Sequence, residues 1–231
     1  MKISIKGPII SDSIKYIYDH FGIAATSPSD ISNALEKANG QAIDVYINSG
    51  GGHIDAGSEI YFLLKDYVGE VLIHVVGTAA SAASVIAMAG KSEMASTALI
   101  MVHNVSSMAS GDYHDMDKSS EILQTANKAL ATSYMEKSGM SEVDVLAMMD
   151  SETWLTADQA VEKRLIDNIA FKKPKTLVAS FDSGLLPMEV IEKMQNSLIN
   201  EKSLKAEDTT ALIQKQKTQT KLNLLKLGGT K

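Results

Sequence analysis

Two short loops hold the residues with the most chemical potential. The first is Ser49-Gly50-Gly51-Gly52, which follows the β-branched and aromatic run Ala42–Asn48. The second is Gly77-Thr78-Ala79-Ala80-Ser81-Ala82-Ala83-Ser84, which follows Glu70–Val76. Each joins an expected strand to an expected helix. Glycine lets such a junction turn sharply and leaves its N–H groups uncovered, and a helix start carries partial positive charge. A serine at the second junction therefore has its hydroxyl beside the Ala82 N–H, where an oxyanion would be stabilised. That is acyl-transfer chemistry. Taken alone, Ser81 reads first as a helix N-cap and the glycine loop first as a tight turn. A phosphate cradle does not fit, because the Lys-Ser/Thr of a P-loop and the G-x-G-x-x-G spacing are both absent.

A nucleophilic serine needs a base. Of the five histidines, His103 ends the apolar run Leu99-Ile100-Met101-Val102. Open α/β sheets form their sites outside the carboxyl ends of strands, and both loops share that position with His103. His74 falls inside a strand and is expected to be packed or at the surface. His53 adjoins the glycine loop, and His20 and His114 read as surface residues. An acid should orient the base; Asp150, Glu152 and Asp167 are candidates, and spacing alone does not choose among them. No H-E-x-x-H-like spacing suggests a metal. The absence of cysteine excludes disulfides, thiolate nucleophiles and Cys-ligated zinc.

The elements that must position these groups alternate. A strand over Ile3–Ile10 precedes helices at 12–20 and 30–38, the second stopped by Asn39-Gly40. A strand over 42–48 precedes a helix at 54–67, and a buried strand over 70–76, ending at Gly77, precedes a small-residue helix at 81–89. Then come the strand 99–102, a long helix at 116–137, helices at 140–149 and 156–164, and an apolar segment at 165–169. This rhythm predicts an α/β fold with a largely parallel sheet.

Net charge is −6, which gives no support for a nucleic-acid partner. Seven lysines against three acidic residues put 201–231 at +4, so residues 1–200 stand at −10. The N-terminus has no apolar core of a secretory signal. No stretch reaches the roughly 20 apolar residues that span a bilayer. A cytoplasmic protein without a membrane segment is expected, its residues 173–231 an extension that is partly helical or disordered.

Five motifs occur in order: Tyr46-Ile47-Asn48-Ser49-Gly50-Gly51-Gly52; Ala56-Gly57 with Ile60-Tyr61; Gly77-Thr78-Ala79-Ala80-Ser81; Met101-Val102-His103; and Trp154-Leu155-Thr156-Ala157 with Ala160-Val161-Glu162. Together they resemble the Clp protease proteolytic subunit over residues 1–172. Within that family the Glu-Thr-Trp-Leu-Thr-Ala segment and the C-terminal extension are most similar to the phage-encoded head maturation (prohead) proteases. The resemblance implies a Clp protease/crotonase-like fold of repeated ββα units with a protruding handle helix, here 116–137. It implies Ser81 as nucleophile, His103 as base, and the N–H groups of Gly52 and Ala82 as oxyanion hole. Register from Trp154-Leu155 puts Glu152 where the family has an aspartate, with Asp150 the alternative. Gly50 stands where the family often has proline.

The function so implied is a serine endopeptidase working through an acyl-enzyme, without cofactor or metal. Its substrates would be polypeptides, capsid or scaffold chains in the phage reading, acted on in the host cytoplasm or the prohead interior. Rings of seven, stacked into a tetradecamer, are the family's assembly. A housekeeping Clp-type protease served by an ATP-driven unfoldase is the alternative, although the N-terminus has little of the family's pore-lining segment. A crotonase-type acyl-CoA enzyme, a non-catalytic ring, and a Ser-Lys peptidase using Lys91 are the other readings.

Overall fold

The computed structural model of this 231-residue chain describes residues 1–172 together with Ile191 and Glu192. The extension expected over 173–231 otherwise lies outside the described residues. The elements named here all belong to the unit Met1–Lys173.

The sheet begins with β1 (Lys2–Lys6), β2 (Ile43–Ser49) and β3 (Val71–Ala80), all parallel. Their alternation is legible in β2, where Ile43, Val45, Ile47 and Ser49 are buried on one face. Between them lie α1 (Asp12–His20), α2 (Pro28–Ala38) and α3 (Ile54–Asp66). Helix α2 opens on a Ser27/Asp30 capping box and closes on Asn39 in the left-handed conformation, so its boundaries follow from local chemistry.

Strand β3 runs past Gly77, where the sequence predicts it to stop. Its first half pairs with β4 (Lys91–Met94) and its second half with β5 (Leu99–Val102), both parallel. The second partner keeps Thr78–Ala80 extended. Gly77 serves the strand by lacking a side chain: a Cβ there would collide with the Asn48 side chain, whose Oδ1 accepts from the Thr78 N–H at 3.0 Å. Beyond β3, α4 (Ala82–Ala87) is buried at all six positions. Its small residues allow close approach to α3, where a Cβ on Gly57 would come within 2.8 Å of the Ala82 Cβ.

Helix α5 (Tyr113–Ser138) begins at an Asp112/Asp115 capping box and ends at Gly139 in the left-handed conformation. Its buried residues, Ala131, Ser133, Tyr134 and Ser138, all lie toward its C-terminus. The N-terminal half meets no core, as expected of a handle. Then follow α6 (Glu142–Asp150), β6 (Thr153–Thr156), α7 (Ala157–Glu162) and β7 (Asn168–Ile169). Strand β6 is antiparallel to β5, and β7 joins β4 at the far edge. The α/β class and predominantly parallel sheet match the prediction; β4 and β6 are strands the sequence does not announce. No described helix is long and apolar enough to cross a membrane.

Asp167, a candidate acid in the sequence, instead ties α5 to the sheet. Its Oδ2 accepts from Lys137 Nζ at 2.6 Å and from the Ser92 N–H at 2.7 Å. Burial pushes this carboxyl's pKa up, but the Lys137 ammonium and the Ser92 donors outweigh it and hold it below the usual carboxylate value. A depressed native pKa stabilises the fold above the unfolded-state pKa and loses that contribution as pH falls through the native value. Asp167→Asn should therefore lower thermal stability at pH 7, by about 1 kcal/mol after allowing for the exposure of the pair. The gap from wild type should narrow in acid. Equal melting temperatures at pH 7 would remove the ion pair from the stability account.

Candidate active site

Strands β2, β3 and β5 are parallel, so their carboxyl ends share one edge of the sheet. The glycine loop follows β2, Ser81 follows β3, and His103 follows β5. The topology thus converges the three segments that the sequence singles out.

Ser81 occupies the single residue between β3 and α4, with φ 56° and ψ −128°. Positive φ is costly for a residue with a Cβ, on the order of 1–3 kcal/mol, and persists only when surroundings fix it. Here the Ser81 N–H donates to the Met101 carbonyl at 3.0 Å, prolonging the β3–β5 pairing. The Ser81 carbonyl accepts from the Ser84 N–H at 2.9 Å and from Ser84 Oγ at 2.7 Å. The Ser81 side chain makes no capping bond. Its Oγ lies 2.8 Å from His103 Nε2 instead, so the hydroxyl is turned away from the cap geometry that competed for it. Lys91, the base of the Ser-Lys alternative, is exposed on β4, 3.6 Å from Glu70.

The glycine loop lies directly against this junction. A Cβ on Gly51 (φ 91°) would come within 2.6 Å of the Ala80 carbonyl oxygen and 2.7 Å of the Ser81 Cβ. One on Gly52 (φ 151°) would collide with the Ile9 backbone. Ile9 pins the loop from the other side: its N–H donates to the Gly51 carbonyl at 2.8 Å, and its carbonyl accepts from the His53 N–H at 2.9 Å. Ser49 Oγ donates to the Gly7 carbonyl at 2.6 Å and accepts from the Gly51 N–H at 3.1 Å. Neither the Gly52 nor the Ala82 N–H has an acceptor among the described residues. Both residues border a cavity of about 60 Å³ that also takes in Ser81 and His103. Its remaining wall mixes Ile54, Val85, Val105, Leu130 and Tyr134 with the polar Asn104 and Ser106. The arrangement suits a substrate with a carbonyl oxygen to place between two free N–H groups.

The acid is not brought to the base in this arrangement. Glu152, with φ 44°, accepts from Trp154 Nε1 at 3.4 Å. Asp150 Oδ1 accepts from Asn104 Nδ2 at 2.7 Å. Among the described residues neither bonds His103. The antiparallel β5–β6 ladder ends at the pair Val102–Thr153, whose chain neighbours beyond the ladder are His103 and Glu152.

The other histidines are accounted for. His74 lies between Asp44 (3.0 Å) and Glu93 (2.7 Å) and stacks on Tyr46, a strand side chain as expected. His53 is the N-cap residue of α3, and His20 and His114 are exposed. Two residues at the site carry no sequence signal of their own. Ser84 is one of many small residues in its run, and Tyr134 occupies an apolar position of an amphipathic helix. Only the fold brings their hydroxyls to 2.7 Å from each other.

Comparison with known proteins converges on one family. The family model described as Clp protease matches residues 24–173. The ATP-dependent Clp protease proteolytic subunit of Bacteroides fragilis is 34% identical over 137 residues, 58% of this chain and 66% of that protein. The ATP-dependent Clp protease proteolytic subunit 1 of Chlamydia abortus is 35% identical over 144 residues, 59% of this chain and 74% of that protein. The chain thus spans about two thirds of the length of such relatives. A solved ClpP1 mutant from Listeria monocytogenes superposes with a TM-score of 0.61 at 18% identity, covering 74% of this chain and 92% of that one, which establishes the fold. The phage maturation branch expected from the sequence gains no support from these relatives. The matched region takes in both loops, His103 and the Trp154-Leu155-Thr156-Ala157 motif, and the chain belongs to the Clp protease family.

Proposed function

We propose that this chain is a serine endopeptidase of the Clp type, hydrolysing peptide bonds through an acyl-enzyme on Ser81. The observation that carries the reading is the 2.8 Å contact between Ser81 Oγ and His103 Nε2 beside two N–H groups without acceptors. Ser81 Oγ attacks the substrate carbonyl carbon while His103 takes its proton. The carbonyl oxygen becomes an oxyanion held by the Gly52 and Ala82 N–H groups. His103 then gives the proton to the leaving amine, the C–N bond breaks, and water hydrolyses the ester by the same steps. A crotonase-type acyl-CoA enzyme would have no use for this Ser–His pair.

Glu152 is the acid of this mechanism in our reading, accepting from His103 Nδ1–H in the working state; that both residues adjoin the Val102–Thr153 pair ending the β5–β6 ladder supports it. Asp150 is the second choice. The relatives are named ATP-dependent, which favours delivery of substrate by an ATP-driven unfoldase in the cytoplasm over capsid maturation. The maturation reading rests on the Glu152–Ala157 segment, the C-terminal extension and the charge contrast between 201–231 and the body. Stacked seven-membered rings are the assembly we infer, with the core-free half of α5 available to pack ring on ring.

Hydrolysis of a short fluorogenic peptide should fall at least about 10³-fold in Ser81→Ala and in His103→Ala. Turnover by Ser81→Ala at the wild-type rate would sink the proposal. Degradation of a folded protein should need a Clp-type unfoldase and ATP, whereas capsid or scaffold cleavage without one would restore the phage reading. For the acid, Glu152→Gln should lose about tenfold or more in kcat, and Asp150→Asn much less; the reverse order would transfer the role to Asp150.

A further inference from the structure

The hydroxyls of Tyr134 and Ser84 form a buried chain that ends on the nucleophile's own peptide group. Ser84 Oγ lies 2.7 Å from the Ser81 carbonyl oxygen. A carbonyl only accepts, so Ser84 spends its one proton there. The Tyr134 hydroxyl, 2.7 Å from Ser84 Oγ, must then donate to it. Ser84 is fully buried and Tyr134 is 2% exposed, so no bulk water competes for either bond. Burial also pushes the Tyr134 phenol up to about 12, which keeps it a donor at any pH where the protein works.

The consequence lies across the peptide bond. In a planar trans peptide the C=O of one residue and the N–H of the next point in opposite directions. Fixing the Ser81 carbonyl toward Ser84 therefore aims the Ala82 N–H the other way, toward the cavity that Ser81 and His103 border. We propose that Tyr134 and Ser84 are positioning residues that hold the Ala82 N–H on the developing oxyanion, a role that rests on the acyl-transfer reading above. Because Tyr134 belongs to α5, the long helix is linked through Ser84 to the peptide that carries the Ala82 N–H. The Ser84 and Val85 N–H groups bond the same carbonyl, at 2.9 and 3.3 Å, so losing a hydroxyl loosens the peptide rather than freeing it. The expected effect is accordingly smaller than the roughly 10²–10³-fold loss on deleting an oxyanion donor.

The test is the kinetics of phosphonylation by a small alkyl fluorophosphonate, whose P=O occupies the oxyanion site and which needs no unfoldase. Wild type, Ser81→Ala, Tyr134→Phe and Ser84→Ala are compared for kinact, KI, melting temperature and assembly mass. Tyr134→Phe keeps the ring that lines the cavity and removes only the hydroxyl. We expect kinact to fall about tenfold in Tyr134→Phe and at least as much in Ser84→Ala, with KI within about twofold and assembly unchanged. Wild-type kinact in Tyr134→Phe overturns the proposal, as does a loss that follows KI or ring dissociation. If Ser84→Ala does not fold, Tyr134→Phe decides alone. Failure of wild type to label at Ser81 would instead bring down the acyl-transfer reading, and this proposal with it.

Discussion

The site depends on one backbone conformation, the positive φ at Ser81. It allows β3 to stop and α4 to start with no intervening loop, and it turns Oγ out of the helix and toward His103. With the extended angles of an ordinary N-cap, the same serine would be placed to bond the start of α4. A cost on the order of 1–3 kcal/mol at one residue is sustained because its neighbours leave no alternative. β5 holds the Ser81 N–H, Ser84 holds its carbonyl, and Gly51 packs against its Cβ.

Much of the remaining architecture supports that residue. The Ile9 bridge clamps the glycine loop that presses on Ser81. The small residues of α4 let the helix sink into the core beside Gly57, carrying the Ala82 N–H with it. Strand β3 is long because it serves two partners. Its first half builds the sheet with β4, and its second half aligns Ser81 with the end of β5 and so with His103. Tyr134 then reaches in from α5 to close the hydrogen-bond chain.

The sequence exposed the parts of this scheme that have local signatures. The β-branched run of β2, the glycine loop, and the apolar run ending in His103 were readable because strand period and turn chemistry act over a few residues. Caps at Asn39 and Gly139 likewise follow from residue type. Features decided by tertiary pairing were not readable. Gly77 looks like a strand stop, yet β5 keeps the chain extended beyond it. Lys91–Met94 is polar and short, and becomes a strand only because β3 and β7 flank it. Spacing alone does not separate Asp167 from Asp150 and Glu152; its ion pair with Lys137 does. Ser84 and Tyr134, 50 residues apart, had no signal that could connect them. The motifs identify the Clp protease family, whereas the phage branch gains no support from the relatives.

Two arms of the chemistry stand in different conditions. Ser81 and His103 are in contact, whereas Glu152 and Asp150 are bonded to Trp154 and Asn104 instead of His103. The account's central claim is therefore that His103 activates Ser81 specifically. The most direct measurement is peptide mapping by mass spectrometry after fluorophosphonate treatment of wild type and His103→Ala. The account predicts a single adduct on the peptide carrying Ser81, nearly absent from His103→Ala. An adduct on another residue, or equal labelling of Ser81 without His103, would contradict it.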